Sequence, residues 1–294
     1  MKKIVLLLAV VWCAQGVSQI NHPKASPSST IEQTVGLSKI TVAYSRPATR
    51  GRTIFGNRAD GQPGLVPYGR IWRVGANEST KITFDNDVNI MGKPLSKGTY
   101  ALYAFPKAKE WQLVFHNNTK HWGDGRNAYD PEEDALRVKV KPKQTLGYQE
   151  NFLISFDAIT HNEAVLSLLW ATTKVSLPMT FNTRELMEQQ IKERLNDKPT
   201  AQTYYEIARY YQEQGSKQEQ SLVYLNKAIE LGGDTYYYHR VKSLVEAELE
   251  DYKVAIRSAQ KSLEIADSLG KDEFVRMNGK NIIDWKEKLK QQNE

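Results

Sequence analysis

The sequence predicts an antiparallel β-sandwich followed by a short helical repeat domain of the tetratricopeptide type. Three observations carry this expectation. Between residues 31 and 180, apolar residues alternate with polar ones in eight or nine short runs separated by turn residues. From about residue 183 the apolar spacing becomes helical. Within that helical stretch, similar residues recur 34 positions apart, the period of a helix–turn–helix repeat.

The chain has 294 residues, enough for about two domains. Lys2 and Lys3 precede an apolar run over 4–12, and Ala14, Gly16 and Ser18 follow as small residues. That order is a secretory signal, so residues 1–20 are expected to be removed and the protein to be exported, to the periplasm or beyond. The single cysteine, Cys13, lies inside this segment, and Trp12 before it is too bulky for lipoprotein processing. The mature chain therefore has no disulfide, no thiol nucleophile and no cysteine-held zinc. No long apolar run follows the signal, so no membrane span is expected after cleavage.

Residues 21–30 are rich in Pro and Ser and read as a flexible leader. The sandwich spans 31–180. Its strands are centred on 40–44, 81–84, 88–91, 99–105, 111–115, 137–141, 152–156, 164–170 and 174–177, and Met91-Gly92-Lys93-Pro94-Leu95 reads as a turn. Trp111, Leu113 and Phe115 alternate with Gln112, Val114 and His116, which places the two sets on opposite faces. Residues 181–294 form the helical domain, with Thr183 placed to cap its first helix. Pro199-Thr200, Gly215 and Gly232-Gly233 punctuate it. Tyr204 and Tyr238, Ser221 and Ala255, and Ala228 and Ser262 mark the repeat, with a capping helix after it. Two repeats are few, so the helices are expected to lean on the sandwich.

The net charge is +6. Residues 21–180 carry 20 basic and 14 acidic side chains, whereas residues 181–294 carry 18 and 20. The basic excess therefore belongs to the sandwich, and the helical domain has the opposite sign. Much of that excess lies in the irregular, glycine-rich stretch 45–79, where Arg46, Arg50, Arg52, Arg58, Arg70 and Arg73 occur. Guanidinium groups are shaped for carboxylate, phosphate or sulfate, and Tyr68 and Trp72 add aromatic faces of the kind sugars stack on. A ligand set of Arg46, Arg52, Tyr68, Arg70, Trp72, Arg73, Asn77 and Glu78 follows, for an anionic or carbohydrate ligand. The same arginines suit a structural role, capping carbonyls of a loop folded over a sheet.

Three further readings stand beside it. His116, His121 and Asp124 are near enough in sequence to hold a metal, which would suit a metal-dependent hydrolase acting on cell-envelope material. Tyr204, Tyr211 and Tyr237 either pack between helices or line a groove for a protein partner. A purely structural assembly scaffold is the third. The acidic run Glu132-Glu133-Asp134 reads as a solvated loop. No nucleophile elbow, dinucleotide fingerprint, phosphate loop or zincin motif occurs, so no cofactor is called for and a non-enzymatic binding protein is the expectation. No nucleic-acid-binding module occurs either.

The stretches Gly51-Arg52-Thr53-Ile54-Phe55-Gly56, Val66-Pro67-Tyr68-Gly69-Arg70-Ile71-Trp72-Arg73-Val74-Gly75-Ala76-Asn77-Glu78-Ser79-Thr80, Gly98-Thr99-Tyr100-Ala101-Leu102-Tyr103, Leu168-Leu169-Trp170 and Val175-Ser176-Leu177-Pro178 resemble a family of secreted proteins common in Bacteroidota, domain of unknown function 2911. The resemblance covers about residues 31–180. It implies an exported β-domain, often followed by tetratricopeptide-like helices. It brings no activity and no catalytic residue.

Overall fold

The computed structural model describes residues 22–121, 123, 125 and 127–294. The expected signal segment with Cys13, and Trp122, Asp124 and Arg126, lie outside the described residues. The chain divides into two compact units, Met1–Thr183 and Arg184–Glu294.

The first unit is built from ten strands: β1 (Ser28–Val35), β2 (Ser38–Ser45), β3 (Thr80–Phe84), β4 (Val88–Ile90), β5 (Lys93–Leu95), β6 (Gly98–Phe105), β7 (Trp111–His116), β8 (Asp134–Val140), β9 (Lys143–Asp157) and β10 (Glu163–Phe181). They form a six-stranded sheet in the order β1-β2-β3-β6-β7-β8 and a four-stranded sheet in the order β5-β4-β10-β9. Every pairing is antiparallel. The inward side chains of both sheets make one core: Ile40, Ile82, Phe84, Leu102, Leu113 and Phe115 meet Ile90, Phe152, Ile154, Leu166 and Trp170. That is the β-sandwich the alternation predicted.

Three details differ from the sequence expectation. The last residues of the stretch 21–30, read as a flexible leader, belong to β1, where Ser28, Ser29 and Thr30 pair with Ser45, Tyr44 and Ala43. The stretch 93–95 pairs with β4 as a short strand instead of closing a turn, because Met91 and Gly92 turn the chain with positive φ. The runs at 164–170 and 174–177 are one 19-residue strand whose register shifts beside Ala171, itself at φ 52°. A shifted register restores the inward phase without breaking the strand.

The second unit is all helix: α1 (Thr183–Asn196), α2 (Ala201–Glu213), α3 (Gln218–Glu230), α4 (Tyr236–Glu248), α5 (Tyr252–Ser268) and α6 (Asp272–Gln292). Thr200 caps α2 through a reciprocal bond with Thr203. Ala208, Leu225, Ala228, Tyr238 and Val245 form its first core, and Ala255, Ala259, Ile282 and Trp285 its second. Small residues at the 34-residue positions let paired helices approach closely. α4 is helical where the pattern was weak, because Val241 and Val245 are the inward positions among polar neighbours. No described helix is long and apolar enough to cross a membrane.

Candidate functional site

The loop from residue 46 to residue 79 is ordered by isolated bridges between Phe55 and Val66, Asn57 and Pro63, and Trp72 and Ala104. Its side chains divide by chemistry. Trp72, grouped by sequence with the ligand residues, is 6% exposed. Its ring packs among Phe55, Trp111, Phe152 and Trp170, and its Nε1–H donates to Gly75 O at 3.1 Å. An indole is too large and apolar to stay in water when a core is at hand, and its single donor finds a carbonyl.

Several arginines are spent on carbonyls. Arg46 Nε donates to Phe152 O at 3.0 Å. Arg52 donates through Nε to Thr49 O at 2.9 Å and through Nη2 to Ala48 O at 2.7 Å. Arg73 Nη1 donates to Asn77 O at 3.0 Å, and Asn77 Nδ2 donates to Ser26 O at 3.0 Å and Ser45 Oγ at 3.1 Å. Tyr68, Arg70 and Glu78 remain exposed. A cleft of about 670 Å³ opens beside Arg52 and Arg58, walled by Gly64 and Leu65.

A second constellation lies on the outer face of the six-stranded sheet. Ala101, Tyr103 and Val114 point away from the sandwich core, yet they are fully buried beneath Ile71, Phe105 and Tyr129. Alternation along β7 sends His116 to this same face. His116 is 0% exposed. Its partner across the ladder would be Ala135 in a regular register; a shift after Phe115 pairs it with Asp134 instead. Bulges of this kind re-aim a side chain.

Asp134 is the hub of the site. His116 Nδ1 lies 3.1 Å from its Oδ1. Tyr129 OH donates to both carboxylate oxygens, at 2.8 and 2.9 Å. Arg137 donates to Oδ2 from Nε at 3.1 Å and Nη2 at 2.6 Å, and its Nη2 also meets Tyr129 OH. Arg137 Nη1 reaches Gln112 Oε1 at 2.7 Å, and the guanidinium lies over Phe105. Burial, then the Asp134 hydrogen bond and charge, push the Tyr129 hydroxyl far above its ordinary pKa, so Tyr129 stays a donor.

Asp134 orients the imidazole. A neutral His116 that donates Nδ1–H to Asp134 keeps its Nε2 lone pair for a further partner. That Nε2 is buried with no hydrogen-bond partner among the described residues. It points to Glu133 Oε2 at 3.4 Å, within ion-pair reach but without hydrogen-bond geometry. His121 packs against His116 with ring centroids 5.6 Å apart, and its Nδ1 is also buried without a partner. One ligand atom from each of His116, His121 and Glu133 falls within 4.8 Å of the others. Gly125, at φ 63°, permits this packing: a Cβ there would come within 2.9 Å of His121 Nδ1.

The structure thus brings together two of the three residues the sequence grouped for a metal, His116 and His121. Asp124, the third, lies outside the described residues. Glu133 and Asp134, read by sequence as part of a solvated run, both face His116. Tyr129 and Arg137 complete the cluster without any sequence signal. Asp130 caps the turn Pro131–Glu133 by accepting from Glu132 N.

In the helical unit, Tyr204 and Tyr211 are packing residues. Tyr204 lies against Tyr224, and Tyr211 is buried with Ile191 and Ile207. Tyr237 lines a cleft of about 240 Å³ with Tyr205, Arg209, Arg240 and Phe274.

The family model described as Protein of unknown function (DUF2911) matches residues 26–179, which takes in the loop, the outer-face cluster and nearly the whole sandwich. No curated protein and no solved structure matches the chain. The match spans more than half of the sequence and agrees with the loop and strand motifs quoted above, so the chain belongs to the DUF2911 family.

Proposed function

We propose that the sandwich is a divalent-metal-binding domain of an exported protein, with His116, His121 and Glu133 as ligands and Asp134 behind His116. One observation carries the reading: the buried Nε2 of His116, which finds no hydrogen-bond partner among the described residues, belongs to a group in which one ligand atom each of His116, His121 and Glu133 lies within 4.8 Å of the others. A buried nitrogen left without a partner costs about 1–3 kcal/mol. Glu133 Oε2, which also accepts from Asn118 Nδ2 at 3.3 Å, lies 3.4 Å from it, and a cation held between them gives the nitrogen its partner. Two imidazoles and one carboxylate are the donor set of zinc-class ions, and the carboxylate–histidine–metal arrangement is their usual support.

Equilibrium dialysis of the mature chain against zinc, followed by elemental analysis, tests this. One ion per chain is expected, lost in His116→Ala. A wild-type protein that stays metal-free would end the proposal.

A second ligand reading rests on the cleft beside Arg52 and Arg58. Its volume is in the range of small-ligand sites, and both side chains suit an anionic or acidic-sugar ligand. Tyr68 and Arg70 stand exposed on the same loop. Binding to sulfated and uronic-acid glycans that weakens in Arg58→Ala supports it; an array with no positive glycan removes it. The helical repeats are proposed to supply protein contacts.

A further inference from the structure

We infer that the metal centre takes an anionic oxygen ligand at an open coordination position, and that Arg73 anchors that ligand. The inference rests on the metal reading above and adds the chemistry of what the metal holds.

Ligand count and charge come first. The described residues offer three donor atoms, one fewer than a closed tetrahedral site uses. Two neutral imidazoles and one carboxylate leave a divalent ion with a net positive charge. The negative charge of Asp134 does not cancel it, because Arg137 already pairs with that carboxylate. A fourth ligand that carries negative charge, a carboxylate or phosphate oxygen, completes both coordination and charge. Glu133 is the outer wall, its side chain 41% exposed, so the position is reached from solvent on that side.

Arg73 is the second strand of the argument. Trp72 is bridged to Ala104 by two backbone hydrogen bonds of 2.8 Å, which extends the segment beside β6. With the Trp72 ring in the core, its neighbours Ile71 and Arg73 turn to the opposite side. Ile71 packs on the outer-face cluster with Tyr103, which places this side as the face that carries His116. Arg73 extends from the same side to the loop that holds the ligands. At Gly123, two residues past His121 and at φ 71°, a Cβ would stand 2.9 Å from Arg73 Nη1. The guanidinium thus lies against the backbone of the loop that carries His121.

The two guanidinium groups of this face are used differently. Arg137 spends its donors on Asp134, Tyr129 and Gln112. Arg73 gives one donor to Asn77 O, and no carboxylate pairs with it among the described residues. It is partly buried. A partly buried guanidinium that gives one donor to a backbone carbonyl and lies against Gly123 of the loop carrying His121 keeps donors for a doubly coordinated oxyanion.

The test uses the mature full-length chain loaded with Co(II), whose visible spectrum reports coordination number. Inorganic phosphate and acetate are the probes, with chloride at matched ionic strength as control. Phosphate or acetate is expected to change the cobalt bands saturably, and chloride to do less. In Arg73→Gln the apparent affinity for the anion is expected to fall about ten-fold, with cobalt affinity unchanged, since a charge-assisted contact is lost but no metal ligand is. Arg73→Lys, which keeps charge but not the fork, is expected to fall between the two. Whichever probe binds more tightly identifies the phosphate or carboxylate class. Cobalt bound with bands indifferent to both anions would overturn the open position while leaving the metal site standing. Anion binding equal in Arg73→Gln and wild type would overturn the role of Arg73. Failure to bind cobalt at all would remove the metal reading itself.

Discussion

Each unit of this protein buries a polar cluster, and the two clusters are finished differently. In the helical unit Asn278 is 0% exposed. Its Nδ2 donates to Ser262 Oγ at 2.8 Å, Ser262 Oγ donates to Tyr236 O at 2.6 Å, and Arg240 Nη1 donates to Asn278 Oδ1 at 3.0 Å. The chain of donors and acceptors closes on itself and holds α4, α5 and α6 in register. On the outer face of the sandwich, Asp134 is equally well supplied, but the chain stops at His116 Nε2. A closed buried network stabilises and specifies packing, whereas an open one has room for a partner that the sequence does not encode. The helical unit has a loose end too, Glu246 Oε2. There a proton suffices: burial pushes that carboxyl above its ordinary range, and Glu246 belongs to no cluster of three ligand groups among the described residues.

The largest effect that would break the contrast is expected at its hub. Asp134→Ala strands Arg137 and Tyr129 and frees the His116 tautomer. A loss of about 2–4 kcal/mol is expected in urea unfolding of the metal-free protein, less than for a fully buried pair because Arg137 is one-third exposed. Zinc affinity should fall about 10–100-fold as well. Next in size is the metal's own contribution. Zinc held at 100 times its Kd should stabilise the wild type by about 2.7 kcal/mol, seen as a rise in Tm. His116→Leu should abolish that rise; in the metal-free protein it removes an unsatisfied buried nitrogen but also the contact from Nδ1 to Asp134, so its stability should change by less than in Asp134→Ala. Asn278→Ala is expected to cost about 1–3 kcal/mol with no dependence on zinc, because it opens the closed network. If zinc altered that cost, the two clusters would not be independent.

The smallest effect sharpens the comparison through pH. The folded-state pKa of Glu246 is raised above its unfolded value, with desolvation the main cause. The stability it contributes is therefore fully present below the unfolded pKa and lost as pH rises through the folded pKa. Glu246→Gln should flatten that fall and stabilise the helical unit modestly near neutral pH. A stability profile with the opposite slope in the wild type would contradict it.

Much of the architecture was legible because both units follow simple periods. Trp111, Leu113 and Phe115 announced β7 and, by the same alternation, the outward side of His116. The 34-residue spacing from Tyr204 to Tyr238 announced the paired helices. The site was half legible. Nearness in sequence left a metal at His116, His121 and Asp124 as an alternative, but Glu133 and Asp134 looked like a solvated acidic run. Their inward aim depends on the register shift opposite His116, which pairs it with Asp134 and leaves Ala135 over. A bulge of one residue leaves no trace in composition. Trp72 was opaque for a related reason. Its loop has no periodicity, so nothing in the sequence distinguished a ring stacked on Trp170 from one facing solvent. Arginine-rich text likewise did not reveal that Arg46, Arg52 and Arg73 all donate to backbone carbonyls, Arg52 through two of its nitrogens and Arg46 and Arg73 through one each.

The central claim is that the network around Asp134 is completed by a metal ion. Crystals grown with zinc and measured across its absorption edge test it most directly. An anomalous peak about 2.0–2.2 Å from His116 Nε2, an imidazole nitrogen of His121 and a Glu133 oxygen is the predicted result. No peak there, with His116 Nε2 hydrogen-bonded directly to Glu133, would contradict it.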